Sequence, residues 1–133
     1  VILMSNLVIP ILKDKRGGKI INISSTAGQR GEAFHSVYAA TKGGILSYTR
    51  SLSTELAPYK ILVNAVSPGW VYTELNESVL ADKARTEAIE RSIPLGRMAT
   101  AEDVANSVIF LASDWSDFIT GQSINVNGGS VLQ

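Results

Sequence analysis

The apolar positions along the chain repeat with a helical period in long stretches and with a strand-like period in short ones. Residues 1 to about 13, "VILMSNLVIPILK", are apolar on nearly every side and predict a buried helix, stopped by the charged turn "KDKRGG". "KIINIS", residues 19 to 24, is a short β-branched run and predicts a strand. A long helix is expected from about Ser36 to Leu56, closed by "APYK", where Pro58 cannot continue the hydrogen-bond ladder. "ILVNAVS", residues 61 to 67, is almost continuously apolar, the pattern of a strand covered on both faces. "PGWVYTELNES" reads as a loop, and "VLADKARTEAIERS" has helical spacing with its charges on one side. Thr100 followed by Asp103 forms a capping-box pattern opening the helix "AEDVANSVIFLASD". Last, "QSINVNGG" is a short alternating strand ending at two glycines, which allow a tight turn.

Strands separated by helices of this length predict βαβ units, hence an α/β fold with a parallel sheet. The 133 residues suit one folding unit. Lys+Arg and Asp+Glu number 12 each, so no charge imbalance points to nucleic acid, and a small molecule is the expected partner. The chain has no cysteine and a single histidine, His35, so neither a disulfide nor a metal site is expected, and His35 reads as a helix-start residue. No apolar run approaches the ~18 residues of a membrane span, and no signal peptide opens the chain, so a cytoplasmic protein is expected. The start at Val1, inside an apolar run without a capping residue, reads as a cut through a longer sequence.

On the long helix, at about 100° per residue, Tyr38, Lys42, Ile45, Thr49, Leu52 and Leu56 fall within roughly 40° of one line. That line is the apolar stripe that packs on a sheet, with Tyr38 and Lys42 at its first turns. An ammonium on such a stripe calls for a cavity or a ligand. In parallel α/β sheets the helix start lies at the carboxyl ends of the strands, where ligands bind. A cation one turn away favours the phenolate of Tyr38, as does the helix N-terminus, so Tyr38 can serve as general acid or base. Ser25, at the end of the preceding strand, can hydrogen-bond an oxygen on which charge develops. Tyr and Lys four apart also arise by chance, and serine-rich strand ends are ordinary turns, so spacing alone leaves both readings open.

Ser25, Tyr38 and Lys42, set in "NISSTAG" and "YAATKGG", resemble the catalytic segment of the short-chain dehydrogenase/reductase family. "ILVNAVSPGWVYTEL", "PLGRMATAEDVANSVIFLASD" and "ITGQSINVNGG" resemble further family segments in the same order, and within the family the 3-oxoacyl-acyl-carrier-protein reductase and glucose 1-dehydrogenase type. The resemblance implies a Rossmann-like doubly wound parallel sheet and hydride transfer between NAD or NADP and a carbonyl or secondary alcohol. It implies that Tyr38 carries the proton, that Lys42 stabilises its phenolate and bonds the nicotinamide ribose, and that Ser25 holds the substrate oxygen. Pro68, Gly69, Val71 and Thr73 would hold the nicotinamide carboxamide, with Gln29 and Trp70 bordering the substrate. A homodimer or homotetramer is implied as well.

The family's glycine-rich turn T-G-x-x-x-G-x-G and its Asn-Ala-Gly segment have no counterpart among the eleven glycines of this chain. Residues 1–133 therefore resemble the C-terminal catalytic half of one Rossmann domain, about three strands with flanking helices, in which "KIINIS" presents a bare edge. The alternative is a truncated, non-catalytic remnant acting only as a binding or dimerisation module. Asn127 stands where relatives often carry Asp, a change expected to affect packing near the C-terminus.

Overall fold

The computed structural model describes residues 1–132. Three parallel strands, β1 (Gly18–Ile23), β2 (Ile61–Pro68) and β3 (Ser123–Val126), form one sheet in the order β1-β2-β3. Gly18 to Ile23 pair with Ile61 to Val66, and Ala65 to Pro68 pair with Ser123 to Val126. The helices are α1 (Ile2–Asp14), α2 (Thr26–Arg30), α3 (Ser36–Leu56), α4 (Glu77–Leu80), α5 (Lys83–Ser92) and α6 (Ala101–Ala112). The expected α/β architecture is thus present, with β1 as an edge strand.

β2 is the central strand, and its apolar run has the predicted cause: residues 61 and 63 to 67 are all buried. Its one amide, Asn64, is 2% exposed and satisfied, donating from Nδ2 to the Ile119 carbonyl at 2.8 Å and accepting the Gln122 N–H at 3.0 Å. On one face of the sheet, Leu52 and Leu56 of α3 pack on Ile61 and Val63, with Ile9 and Leu12 of α1, Ile20 and Tyr48 at the margin. On the other face α6 crosses the sheet, fully burying Leu111. Lys19 reaches there from β1, donating to the Ser113 carbonyl and pairing with Asp117 at 2.7 Å.

Three expectations are corrected. The first helix is not buried: Ile2, Leu3, Met4, Leu7 and Ile11 are all at least half exposed, because a helix apolar all round can turn only one side to the sheet. Residues 26–30, without a predicted element, form α2, a helix too short to show a period. The segment 79–92 is split, since the Asp82 side chain accepts the Arg85 N–H at 3.1 Å and starts α5 anew. The capping box is formed as expected, Thr100 Oγ1 accepting the Asp103 N–H at 3.2 Å and Asp103 accepting the Thr100 N–H at 2.8 Å. At the end of β3, Gly128 and Gly129 have φ of 61° and 88°, the left-handed turn their pairing suggested. Asn127 braces this turn from both ends, donating to the Val131 carbonyl at 2.8 Å and accepting the Gly129 N–H at 2.9 Å.

Candidate functional site

Ser24 and Ser25 follow directly on β1. Ser24 still adds a rung, its N–H donating to the Val66 carbonyl at 2.8 Å. Ser25 turns the chain: extended at φ −165° and ψ 154°, it caps α2 by accepting the Ala27 N–H on Oγ at 3.1 Å. Among the described residues its O–H has no acceptor, so it is available to donate to a ligand. A serine here thus starts a helix and points a hydroxyl past the strand end.

α2 leads back to α3 through a contact that only small residues permit. A Cβ on Gly28 would stand 2.5 Å from the Lys42 carbonyl carbon, and one on Gly43 3.0 Å from the Gly28 carbonyl oxygen. The two helices therefore meet backbone to backbone at Lys42. His35 occupies the N-cap position of α3, its ring Nδ1 lying 3.1 Å from the Ala33 carbonyl. It is a helix-start residue, as its sequence position suggested.

Along α3 the stripe divides. Thr49, Leu52 and Leu56 are buried, Ile45 is half-buried, and Tyr38 is 43% exposed. The first turns of α3 run past the end of the sheet, so the same line that packs on strands lower down faces open space at Tyr38. The Lys42 ammonium lies 5.7 Å from the centroid of the Tyr38 ring and donates to the Ile23 carbonyl at 3.0 Å. Strand alternation turns that carbonyl toward the free edge of β1, away from β2. Lys42 is thus half-buried and tied to the strand end from which Ser25 projects.

The register carries the site onto the next strand. Ile23 pairs with Val66, so Ser25 stands level with Pro68, the last residue of β2. Gly69 donates to the Val126 carbonyl at 2.9 Å, and a Cβ there would be 3.0 Å from that of Asn127. Val71 forms a parallel bridge with Ala99, whose N–H donates to the Trp70 carbonyl and whose carbonyl accepts from Tyr72, both at 2.9 Å. This bridge closes the neck of the 72–98 excursion and leaves Trp70 half-exposed. The Val71 carbonyl accepts from Asn76 Nδ2 at 2.8 Å, whereas its N–H and the exposed Thr73 hydroxyl have no partner among the described residues. One amide donor and one hydroxyl suit a primary carboxamide, so the loop fits a nicotinamide.

Gln29 is occupied within the fold: Nε2 donates to Asn125 Oδ1 of β3 at 2.6 Å, while the buried Oε1 has no partner among the described residues. It lines a hollow of ≈ 430 Å³ with Gly28, Gly43, Leu46, Ser47 and Arg50. That hollow lies along the α2–α3 seam and excludes Ser25, Tyr38 and Lys42, whose surroundings are open on the side of the β1 edge. The structure thus gathers Ser25, Tyr38 and Lys42 at one strand end and Pro68 to Thr73 at its neighbour, with Gln29 tied toward β3.

Two polar links outside the predicted set hold the excursion. Tyr72 donates its hydroxyl to the Glu90 carboxylate of α5, and this bond, reinforced by burial, raises the phenol's pKa above its usual value. Arg97 grips Asp103 through two N–H donors, at 2.7 and 3.2 Å. With the Thr100 backbone N–H, it holds the Asp103 carboxyl well below the usual carboxylate range. No periodic pattern marks Tyr72 with Glu90, which are 18 residues apart.

The sequence matches the family model described as enoyl-(acyl carrier protein) reductase over residues 1–131. It is 43% identical over 129 residues to a 3-oxoacyl-(acyl-carrier-protein) reductase of Thermotoga maritima, covering 97% of this chain and 52% of that protein. It is 44% identical over 112 residues to an L-xylulose reductase of Bos taurus, covering 84% of this chain and 46% of the relative. Among solved structures, a gluconate 5-dehydrogenase from Burkholderia cenocepacia in complex with NADP and tartrate superposes with a TM-score of 0.91 at 34% identity. That match covers 95% of this chain and 49% of the other. The chain spans about half the length of the curated relatives it matches. A family match over residues 1–131, together with a shared fold, places the chain in the short-chain dehydrogenase/reductase family.

Proposed function

We propose that residues 1–133 are the C-terminal catalytic half of a Rossmann domain whose protein transfers hydride between NADP or NAD and a carbonyl or secondary alcohol, in the manner of a 3-oxoacyl reductase. The observation that carries this reading is the Lys42 ammonium beside the Tyr38 ring at the carboxyl end of β1. When bound, the nicotinamide supplies or accepts the hydride. Val71 N–H and the Thr73 hydroxyl hold its carboxamide at the end of β2, with Pro68 and Gly69 shaping the approach. Ser25 donates its free O–H to the substrate oxygen. Tyr38 gives that oxygen a proton in reduction and takes it back in oxidation. Lys42 stabilises the phenolate left behind and orients the ribose, while Trp70 borders the substrate.

The NADP of the gluconate dehydrogenase structure and the 3-oxoacyl reductase relatives support this cofactor and substrate class. Among the described residues no helix is long and apolar enough to cross a membrane, which suits the proposed cytoplasmic location. The apolar outer face of α1 supports assembly into a homodimer or homotetramer.

The test is turnover of a 3-oxoacyl thioester with NADPH or NADH, followed by loss of reduced-cofactor absorbance. In the full-length protein, Tyr38→Phe is expected to lower kcat by ~10² or more with little change in cofactor affinity, as for loss of a general acid. Full activity in that variant would remove Tyr38 from the chemistry. The open edge of β1 favours a second reading, a binding or dimerisation module without turnover, which predicts no change in reduced-nicotinamide fluorescence on mixing.

A further inference from the structure

Two buried polar side chains, one on β1 and one directly after it, take no part in the proton transfer. Asn22 is 6% exposed and Ser24 3% exposed, at alternate positions and therefore on one face of the strand. Asn22 donates from Nδ2 to Oγ1 of Thr49, itself 1% exposed, at 2.9 Å. Ser24 donates from Oγ to the backbone carbonyl of Lys42 at 2.7 Å. The strand is thus fastened to α3 at two points, about 7 Å apart along β1 and about 10 Å apart along the helix.

Buried polar groups cost free energy unless paired, and apolar residues would fill the same space without that demand. Their distinguishing property is direction. An apolar stripe sliding along a sheet by one helical residue, about 1.5 Å, keeps most of its contact area, whereas a hydrogen bond stretched by that distance is broken. Ser24 has a particular target. The Ile23 carbonyl, one atom group earlier in the chain, accepts the ammonium of the same Lys42 whose backbone Ser24 holds. Two consecutive residues therefore grip both ends of Lys42, Ile23 by its carbonyl and Ser24 by its side chain, and the next residue is Ser25.

We infer that Ser24, seconded by Asn22, is a positioning residue that locks the lengthwise register of α3 on β1, so that the Lys42 ammonium is held beside the Tyr38 ring. This rests on the reading of Tyr38 and Lys42 as the proton-transfer pair. Ser24 touches neither substrate nor cofactor, and its effect passes through Lys42.

The test compares Ser24→Ala and Ser24→Cys with Ser53→Ala. Ser53 is a buried hydroxyl of the same helix, 6% exposed, that donates only within α3, to the Arg50 carbonyl at 2.7 Å. Ser24→Ala is expected to lower kcat ~10-fold with substrate KM changed less than about two-fold, as for a small misplacement of a catalytic group. Ser24→Cys, which keeps the volume and a weaker donor, is expected to recover part of the loss, and Ser53→Ala to leave kcat within about two-fold. Independently of turnover, the chain is labelled with 3-fluorotyrosine and the Tyr38 fluorine resonance assigned by its disappearance in Tyr38→Phe. That resonance is expected to move in Ser24→Ala and to stay in place in Ser53→Ala. Parent-like kcat and an unmoved resonance in Ser24→Ala, with Tyr38→Phe inactive, would overturn the positioning role and leave the proton-transfer reading standing. Should Ser24→Ala not fold, the same two results in Ser24→Cys overturn it. Turnover surviving Tyr38→Phe would sink the reading itself, leaving Ser24 nothing to position.

Discussion

Two stretches of α3, residues 42–49 and 52–56, meet the same face of the sheet and are held there differently. At the C-terminal end, Leu52 and Leu56 press on Ile61 and Val63, with Leu12, Ile9 and Ile20 closing the margin. In the stretch nearer the N-terminus the strands turn small and polar: Asn22 on β1 and Ser24 directly after it bond α3, and Ser67 and Ser123 bond each other at 2.7 Å. Apolar burial gives a large, non-directional free energy, so it suits the end that need only be close. Hydrogen bonds contribute less net energy but tolerate little displacement, so they suit the end where an ammonium and a phenol must meet.

The comparison breaks most visibly at its apolar end. Leu56→Ala is expected to lower unfolding free energy by about 2–5 kcal/mol, read from urea unfolding, while the Tyr38 resonance keeps its position. A smaller and sharper test lies at the polar end. Replacing Asn22 and Thr49 together by Val removes both partners and leaves neither unpaired, so stability is expected to stay within about 1 kcal/mol of the parent. Turnover should nonetheless fall several-fold, because the register loses one of its two pins. Parent-like turnover in that double variant would show that packing alone aligns the helix.

The smallest effect lies outside α3, at the capping box of α6, and measures what directional bonds add at the surface. Asp103 titrates below its ordinary value in the folded chain, through Arg97 first and the Thr100 N–H second. A depressed carboxyl stabilises the fold fully above its unfolded pKa of about 3.9, and that stabilisation is lost progressively as pH falls from there through the lower folded-state value. Asp103→Asn should therefore lower Tm at pH 7, and its gap from the parent should begin to narrow only below about pH 4. A difference independent of pH would assign the effect to the helix cap without the charge.

Much of this was legible beforehand, for physical reasons that differ by element. β2 showed itself because burial on both faces demands an unbroken apolar run, and α3 because 21 residues give the stripe room to repeat. Ser25, Tyr38 and Lys42 were singled out by a spacing that left two readings open and by the resemblance of the segments around them to one family's catalytic segment. The exposure of α1 was not legible, since an apolar helix carries no mark of which side meets the sheet. Neither was α2, five residues long, nor the tie from Gln29 to Asn125, whose partners lie 96 residues apart. Asn22 and Ser24 left a faint signal, two polar positions alternating within "KIINIS".

The order of strands and helices, the covered central strand, the helix caps and the types of group available for chemistry were determined by local sequence, because period, capping and turn preference act over a few neighbouring residues. The tertiary structure alone decided that Tyr38 stands past the end of the sheet while Thr49 is buried, that Lys42 is gripped by Ile23 and Ser24, and that Pro68 comes level with Ser25. Those outcomes depend on strand register and on how closely two glycines let helices approach, quantities that exist only once distant segments have packed.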